Sequence, residues 1–193
     1  MEFQDLFTYP IPIKLVRSSR KSISIELTKD CIVVVRVPYR TGNREIVSIL
    51  EEKRSWIEKN YEKMLQKRKD REQVREKYDL TDDKIRELAQ KAVEYIPTRV
   101  AYYASQIGVT YGRITIRNQK TRWGSCSSKG NLNFNCLLML APPEVLDYVV
   151  VHELCHRKQM NHSKKFWSEV EKILPQYKEQ ERWLQEKGSL LLP

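Results

Sequence analysis

Apolar and polar positions near the start of the chain alternate with a period of two. Ile13 and Leu15 alternate with polar neighbours, and Ile23, Ile25 and Leu27 alternate with Ser22, Ser24 and Glu26, as half-buried strands do. Cys31–Val37 is an almost continuous β-branched run, ended by Pro38. Residues 11–43 are therefore predicted to form an N-terminal β-meander of about three strands, with Lys29-Asp30 turning between the last two. Over 44–79 the period lengthens. Ile46, Ile49, Leu50, Trp56, Ile57, Tyr61, Met64 and Leu65 fall near helical spacing, predicting one long helix capped by Asn43. Mixed charge takes over from Glu62 onward, so that part is a solvated helix or a connection.

A second helix is predicted after Thr81, with an apolar stripe of Ile85, Leu88, Ala89, Ala92, Val93 and Ile96. Pro97 should kink or briefly break it, and Gly108 should end it. The pattern then returns to strands. Ile114 and Ile116 alternate with Thr115 and Arg117, and Asn131–Leu140 alternates through Leu132, Phe134, Cys136 and Leu138. Ser127–Gly130 is the hairpin turn preceding that last strand. Pro142 and Pro143 open a helix running to about Met160. Another begins at Ser163, with Phe166, Trp167, Val170, Ile173 and Leu174 as its apolar face. Pro175 breaks it, and a last helix ends near Gly188. The fold class is α+β, read as a single domain over 1–193: the meander at 11–43, a long helix or connection at 44–79, and a core at 80–187 in which a small antiparallel or mixed sheet packs on a helix.

Histidine placement changes the picture from fold to chemistry. The chain has 3 histidines, and all fall between His152 and His162. His152-Glu153-Leu154-Cys155-His156 is an HExxH motif, whose chance occurrence in a chain this long is roughly half a percent. Residues four apart on a helix share a face, so two imidazoles can reach one Zn2+ ion. Glu153, about 100° round the helix, is placed to act as general base on a water held there. An open catalytic site needs a third protein ligand. In a continued helix His162 would point about 120° away and lie roughly 9 Å further on. The helix must therefore stop near Met160, with Asn161 supplying the left-handed turn that brings His162 back. Glu169 and Glu171 are the rival third ligands.

Thr121-Arg122-Trp123-Gly124-Ser125-Cys126, Gly130–Asn135, Val151–His156, Met160-Asn161-His162 and Phe166-Trp167 together resemble the YgjP-like metallopeptidase family, whose relatives are the SprT-like and WLM zincins. The resemblance covers about Ile107–Leu174. It implies a zincin-like core of small sheet and active-site helix, one zinc on His152, His156 and His162, and Glu153 as base. The chain is not a metzincin: Gln159 stands where that signature has glycine, and no methionine follows Met160. In the zincin layout a strand borders the cleft. Arg122 there could hold an anionic group and Trp123 could pack on substrate, the alternatives being a surface cation and a core tryptophan.

Charge and composition limit the remaining choices. The net charge is +10, and Tyr95–Pro143 contains no acidic residue while carrying Arg99, Arg113, Arg117, Lys120, Arg122 and Lys129. That block should flank the cleft and could steer an anionic substrate. The leading expectation is a zinc metallopeptidase acting on a peptide or protein. The alternatives are a nucleotide phosphohydrolase of the nucleoside triphosphate pyrophosphatase type, and a nucleic-acid-associated module with a structural metal, though no nucleic-acid motif is present. No apolar run suits a bilayer, and the N-terminus lacks a secretory pattern, so no membrane partner and a cytoplasmic location are expected. Cys31, Cys126, Cys136 and Cys155 are expected to be buried free thiols.

Overall fold

The computed structural model describes residues 10–28 and 30–192. The chain divides into two compact units, Met1–Asp70 and Arg71–Pro193.

The first unit contains strands β1 (Ile13–Ser18), β2 (Ser24–Leu27) and β3 (Val33–Pro38) and helix α1 (Asn43–Glu52). The sheet is not a meander. Its order is β1-β3-β2, with β1 parallel and β2 antiparallel to β3. The β-branched run explains this: Val33, Val34, Val35 and Val37 are all buried, and a strand covered on both faces belongs in the centre of a sheet, paired along both edges. Val33, Val35 and Val37 join Ile46 and Leu50 of α1 and Ile57 in one apolar cluster. Lys29 lies outside the described residues. On the described side of that turn Cys31 takes a positive φ of 58°, and its N–H donates to the Thr28 carbonyl at 3.0 Å.

Two expectations about the next segment are corrected. Asn43 does not cap α1: Gly42 does, and the Asn43 Oδ1 instead accepts from the Arg17 guanidinium at 2.7 Å. The single long helix is also two helices, since Lys53 leaves helical geometry (ψ 4°) between α1 and α2 (Arg54–Lys77). Backbone bonds from Lys53 to Ile49 and from Ile57 to Lys53 still bridge the interruption.

Helix α3 (Asp82–Ile107) follows in the second unit. The Thr81 side chain accepts from the Lys84 N–H, and Gly108, at φ 73°, closes the helix in the left-handed region. The helix passes through Pro97 without a break. Pro97 deprives the Val93 carbonyl of its donor, but Val93 is exposed, so water can replace it. Leu88, Ala92, Ile96, Val100, Ala104 and Ile107 hold one buried stripe across the proline.

The second sheet has strands β4 (Ile114–Arg117), β5 (Gly124–Cys126) and β6 (Leu132–Asn135) in the order β4-β6-β5. It is mixed, with β4 parallel and β5 antiparallel to β6. Gly130, at φ 81°, makes the β5–β6 turn. The strand expected to run to Leu140 stops at Asn135, and Cys136–Leu140 is a 3-10 helix. Asn135 is responsible. Its buried side chain accepts from the Leu137 N–H at 3.1 Å and donates to the Gln119 and Arg122 carbonyls, a local alternative to the strand ladder.

Helix α4 (Pro143–Cys155) follows, then α5 (Lys164–Ile173), α6 (Tyr177–Trp183), a π-helical turn Leu184–Gly188 and a final helical turn Ser189–Leu191. Leu146, Val149, Val150, Val151 and Leu154 of α4 belong to the same core as the α3 stripe, Phe134 and Phe166. The Arg99 guanidinium of α3 grips the Asp147 carboxylate of α4 with two 2.7 Å bonds, and the Tyr103 hydroxyl adds a third at 3.0 Å. Among the described residues no helix is long and apolar enough to cross a membrane.

The Arg99–Asp147 pair is part-buried and bidentate, so breaking it strands a carboxylate in the interface between α3 and α4. Arg99→Ala is expected to destabilise the second unit by about 2–3 kcal/mol, measured as a lower urea midpoint for the transition that reports on that unit.

Candidate metal centre

Helix α4 presents His152 and His156 one turn apart, and it ends sooner than the sequence suggests. The last helical residue is Cys155, with His156 as its C-cap at φ −62°, ψ −19°. That conformation is still right-handed helical, so the i, i+4 relation of the two imidazoles survives. Single turns then follow, with Arg157 N–H bonded to the Leu154 carbonyl and Lys158 and Gln159 N–H to that of Cys155. The left-handed turn expected at Asn161 does not occur; Cys31 and Asp79 are the non-glycine residues with positive φ among those described. The earlier stop leaves a longer connection to α5, enough for His162 to return without it.

The three imidazoles converge. The His152 and His162 Nε2 atoms are 3.0 Å apart, and one ring nitrogen from each of His152, His156 and His162 lies within 4.8 Å of the others. Among the described residues no fourth histidine, cysteine or carboxylate joins them. Glu169 is engaged elsewhere, by Lys158 at 2.8 Å and Lys172 at 2.5 Å, and Glu171 is exposed. Neither rival ligand reaches the cluster.

The donor set suits zinc. Two nitrogens bound to one tetrahedral zinc at about 2.0–2.1 Å stand roughly 3.3 Å apart, close to the His152–His162 separation. The ligating form of imidazole is neutral, and the fold favours it. Burial, then the neighbouring His156 and His162, push His152 down to about 3, and burial also lowers His156. His156 Nδ1 lies 3.1 Å from the Gln159 carbonyl. With the proton on Nδ1 donated to that carbonyl, the Nε2 lone pair is free to bind a metal.

Phe166 forms the floor beneath the cluster. It is fully buried, with its ring 4.8, 4.6 and 4.8 Å from those of His152, His156 and His162. Trp167 lies 5.9 Å from His152 and from His162 and stacks on Tyr177 of α6. In the sequence these two read as the apolar face of α5, and a helical period cannot show that the face lies under three imidazoles.

Glu153 is 6% exposed, and burial pushes its carboxyl up to about 8, against a downward pull from Arg122. It lines a cavity of about 350 Å³ with Arg122, Gly124, Ser125, Cys126, Met160 and the three histidines. Strand β5 roofs the carboxylate. A Cβ built on Gly124 would lie 2.6 Å from Glu153 Oε1 and 2.7 Å from its Cγ, so only glycine lets the strand come this close. Arg122 is exposed at the mouth of this cavity, whereas Trp123 is half-buried against the core and lies outside the residues lining it. Of the acid-free block, Arg122 is the cation that borders it; Arg99 is bound to Asp147. Cys31, Cys136 and Cys155 are buried free thiols, but Cys126 is half-buried and faces the site.

Two outcomes follow from this packing. Gly124→Ala should displace Glu153 and lower the melting temperature, yet have little effect on it in a Glu153→Ala background, because the nearest atoms around Gly124 all belong to Glu153; equal losses in the two backgrounds would refute the coupling. Phe166→Leu should weaken zinc affinity by about 10–100-fold, as loss of a group that orients ligands does, measured by competition with a chromogenic chelator.

Residues 73–187, more than half of the chain, match the family model described as YgjP-like, metallopeptidase domain. Two similar solved structures are metallopeptidase zymogens, Pyrococcus abyssi abylysin and Methanocaldococcus jannaschii jannalysin. They are 26% and 25% identical to the chain over 48% of its length and 95% of theirs, with TM-scores of 0.44 and 0.43. No curated protein matches the chain. With the family model covering the α3–α6 region that carries the three histidines and Glu153, the chain belongs to the YgjP-like metallopeptidase domain family.

Proposed function

We propose that the chain is a zinc-dependent peptidase with a zincin-like core, in which His152, His156 and His162 hold one zinc ion and Glu153 is the general base. The convergence of the three imidazoles carries this reading. Three protein donors leave a coordination position open, as catalytic sites do, whereas a structural site is closed by four. The open cavity beside them, lined by Glu153 and by a strand edge, gives a substrate room to enter.

Zinc, when bound, supplies Lewis acidity that polarises a carbonyl and eases the ionisation of water. Glu153 takes the proton from the attacking water at its carboxylate and returns it to the leaving nitrogen. Its place in the cavity wall, 6% exposed, keeps the carboxylate beside the reacting groups for both halves of that task. Gly124, Ser125 and Cys126 form a strand paired with β6 on one side. Its other edge borders the cavity, where an extended peptide can add by backbone hydrogen bonds. Arg122 places a cation at the cavity mouth, suited to steadying negative charge on the reacting carbonyl oxygen or a carboxylate of the substrate. A phosphohydrolase would need several cations to hold a polyphosphate, and Arg122 is the one cation among the residues lining this cavity.

Glu153→Gln should retain one equivalent of zinc and lose peptidase activity by about 10²–10⁴-fold or more. The check is zinc content by atomic emission beside hydrolysis of a denatured protein. Full activity in that variant, or hydrolysis of nucleoside triphosphates in place of peptides, would overturn the assignment.

A further inference from the structure

Glu153 and His152 are each the wall of two cavities. One is the cavity of the three histidines. The other, of about 160 Å³, lies against the same two residues and Gly124, and is otherwise lined by Trp123, Tyr148, Val149 and Leu184. We propose that this second chamber is a specificity site that takes a branched aliphatic side chain of the substrate residue flanking the cleaved bond. The proposal rests on the peptidase reading above.

Position is the first reason. His152, Glu153 and Gly124 line both the chamber and the reaction cavity, so a side chain seated in the chamber lies against the same residues as the reacting group. The character of the walls is the second. The four residues peculiar to the chamber offer an indole, a phenol ring and two aliphatic side chains. Such a space holds about five waters at roughly 30 Å³ each, with few polar partners for them. An apolar group displaces poorly held water with a gain in affinity. The size is the third reason: the chamber is below the range of about 300–1,000 Å³ typical of whole-ligand pockets. It suits one aliphatic side chain and excludes an indole.

The chamber is also built rather than incidental. Trp123 precedes β5, while Leu184 comes from the π-helical turn near the C-terminus, and the two are locked together at Gly188. A Cβ built there would lie 3.2 Å from Trp123 Cζ2 and 3.2 Å from Leu184 Cδ2, so the indole is seated against the bare backbone of that turn. On the other side Tyr148 is buried, edge-on to His152 at 5.9 Å and parallel to Tyr177 at 6.3 Å. Side chains held this way form a wall of fixed shape. This also accounts for Trp123, which the sequence leaves open between core and substrate contact: it packs on the core with one part and lines the chamber with another.

The test uses the zinc-loaded full chain and a set of quenched fluorescent peptides that differ at one residue, from Gly and Ala through Val, Leu and Ile to Phe and Trp. Leu and Ile peptides should exceed the Ala peptide in kcat/KM by about tenfold or more, the discrimination a hydrophobic pocket gives for a few carbons. Leu184→Phe, which fills the chamber, should reduce that ratio at least several-fold. Leu184→Ala, which enlarges it, should move the preference toward Phe. Binding of the same peptides to the zinc-loaded Glu153→Gln protein, measured by calorimetry, gives the second readout. If no peptide is cut, the peptidase reading fails, but an Ile or Leu preference in binding that disappears in Leu184→Phe still upholds the chamber. Cleavage or binding indifferent to the side chain, or a preference that neither Leu184 variant moves, overturns the proposal.

Discussion

Burial of helix α4 on nearly every side is the constraint from which the site's chemistry follows. Val145, Leu146, Val149, Val150, Val151, Leu154 and Cys155 are all in the interior. The helix therefore carries its polar residues into surroundings that penalise charge. Burial biases the imidazoles of His152 and His156 toward the neutral form and pushes the Glu153 carboxyl above its ordinary range. On an exposed helix the same five residues would keep ordinary acidities, and a divalent ion would have to compete with protons on each histidine.

Burial alone would leave three rings free to rotate, and the surrounding packing prevents this. Phe166 lies under all three imidazoles at nearly equal distance, and the Gln159 carbonyl holds Nδ1 of His156. Asp147, five residues before His152, ties α4 to α3 through Arg99 and Tyr103. The helix, its aromatic floor and the strand above Glu153 therefore form one assembly. Each member limits how far the others can move, and this is how a site keeps its geometry before a metal or substrate arrives.

Much of this was legible along the chain, and the legible features share one property. The HExxH spacing, the Thr81 cap, the Gly108 stop, the Gly130 turn and the prolines opening α4 all depend on residues within a few positions of one another, so helical and strand periods expose them directly. The return of His162 toward the other two imidazoles was readable for a related reason: to meet them from the same segment the helix has to end before it, although the stop came at His156 and not near Met160.

What remained hidden is non-local or turns on competition between neighbours. Strand order in the first unit depended on which strand was covered on both faces, and the regular alternation that suggested a meander says nothing of the order in which strands pair. The Asn43 side chain found its partner in Arg17 rather than at a helix cap, and that of Asn135 bonded the Leu137 N–H where the strand ends. Gly124 read as one residue of a motif until the fold laid it across a carboxylate 29 positions away, and Phe166 read as one more apolar position until three imidazoles stood on it. Spacing along a helix can say which donors share a face. The depth to which that face is buried, and what closes over it, are set by contacts between segments distant in the chain, and no local period encodes them.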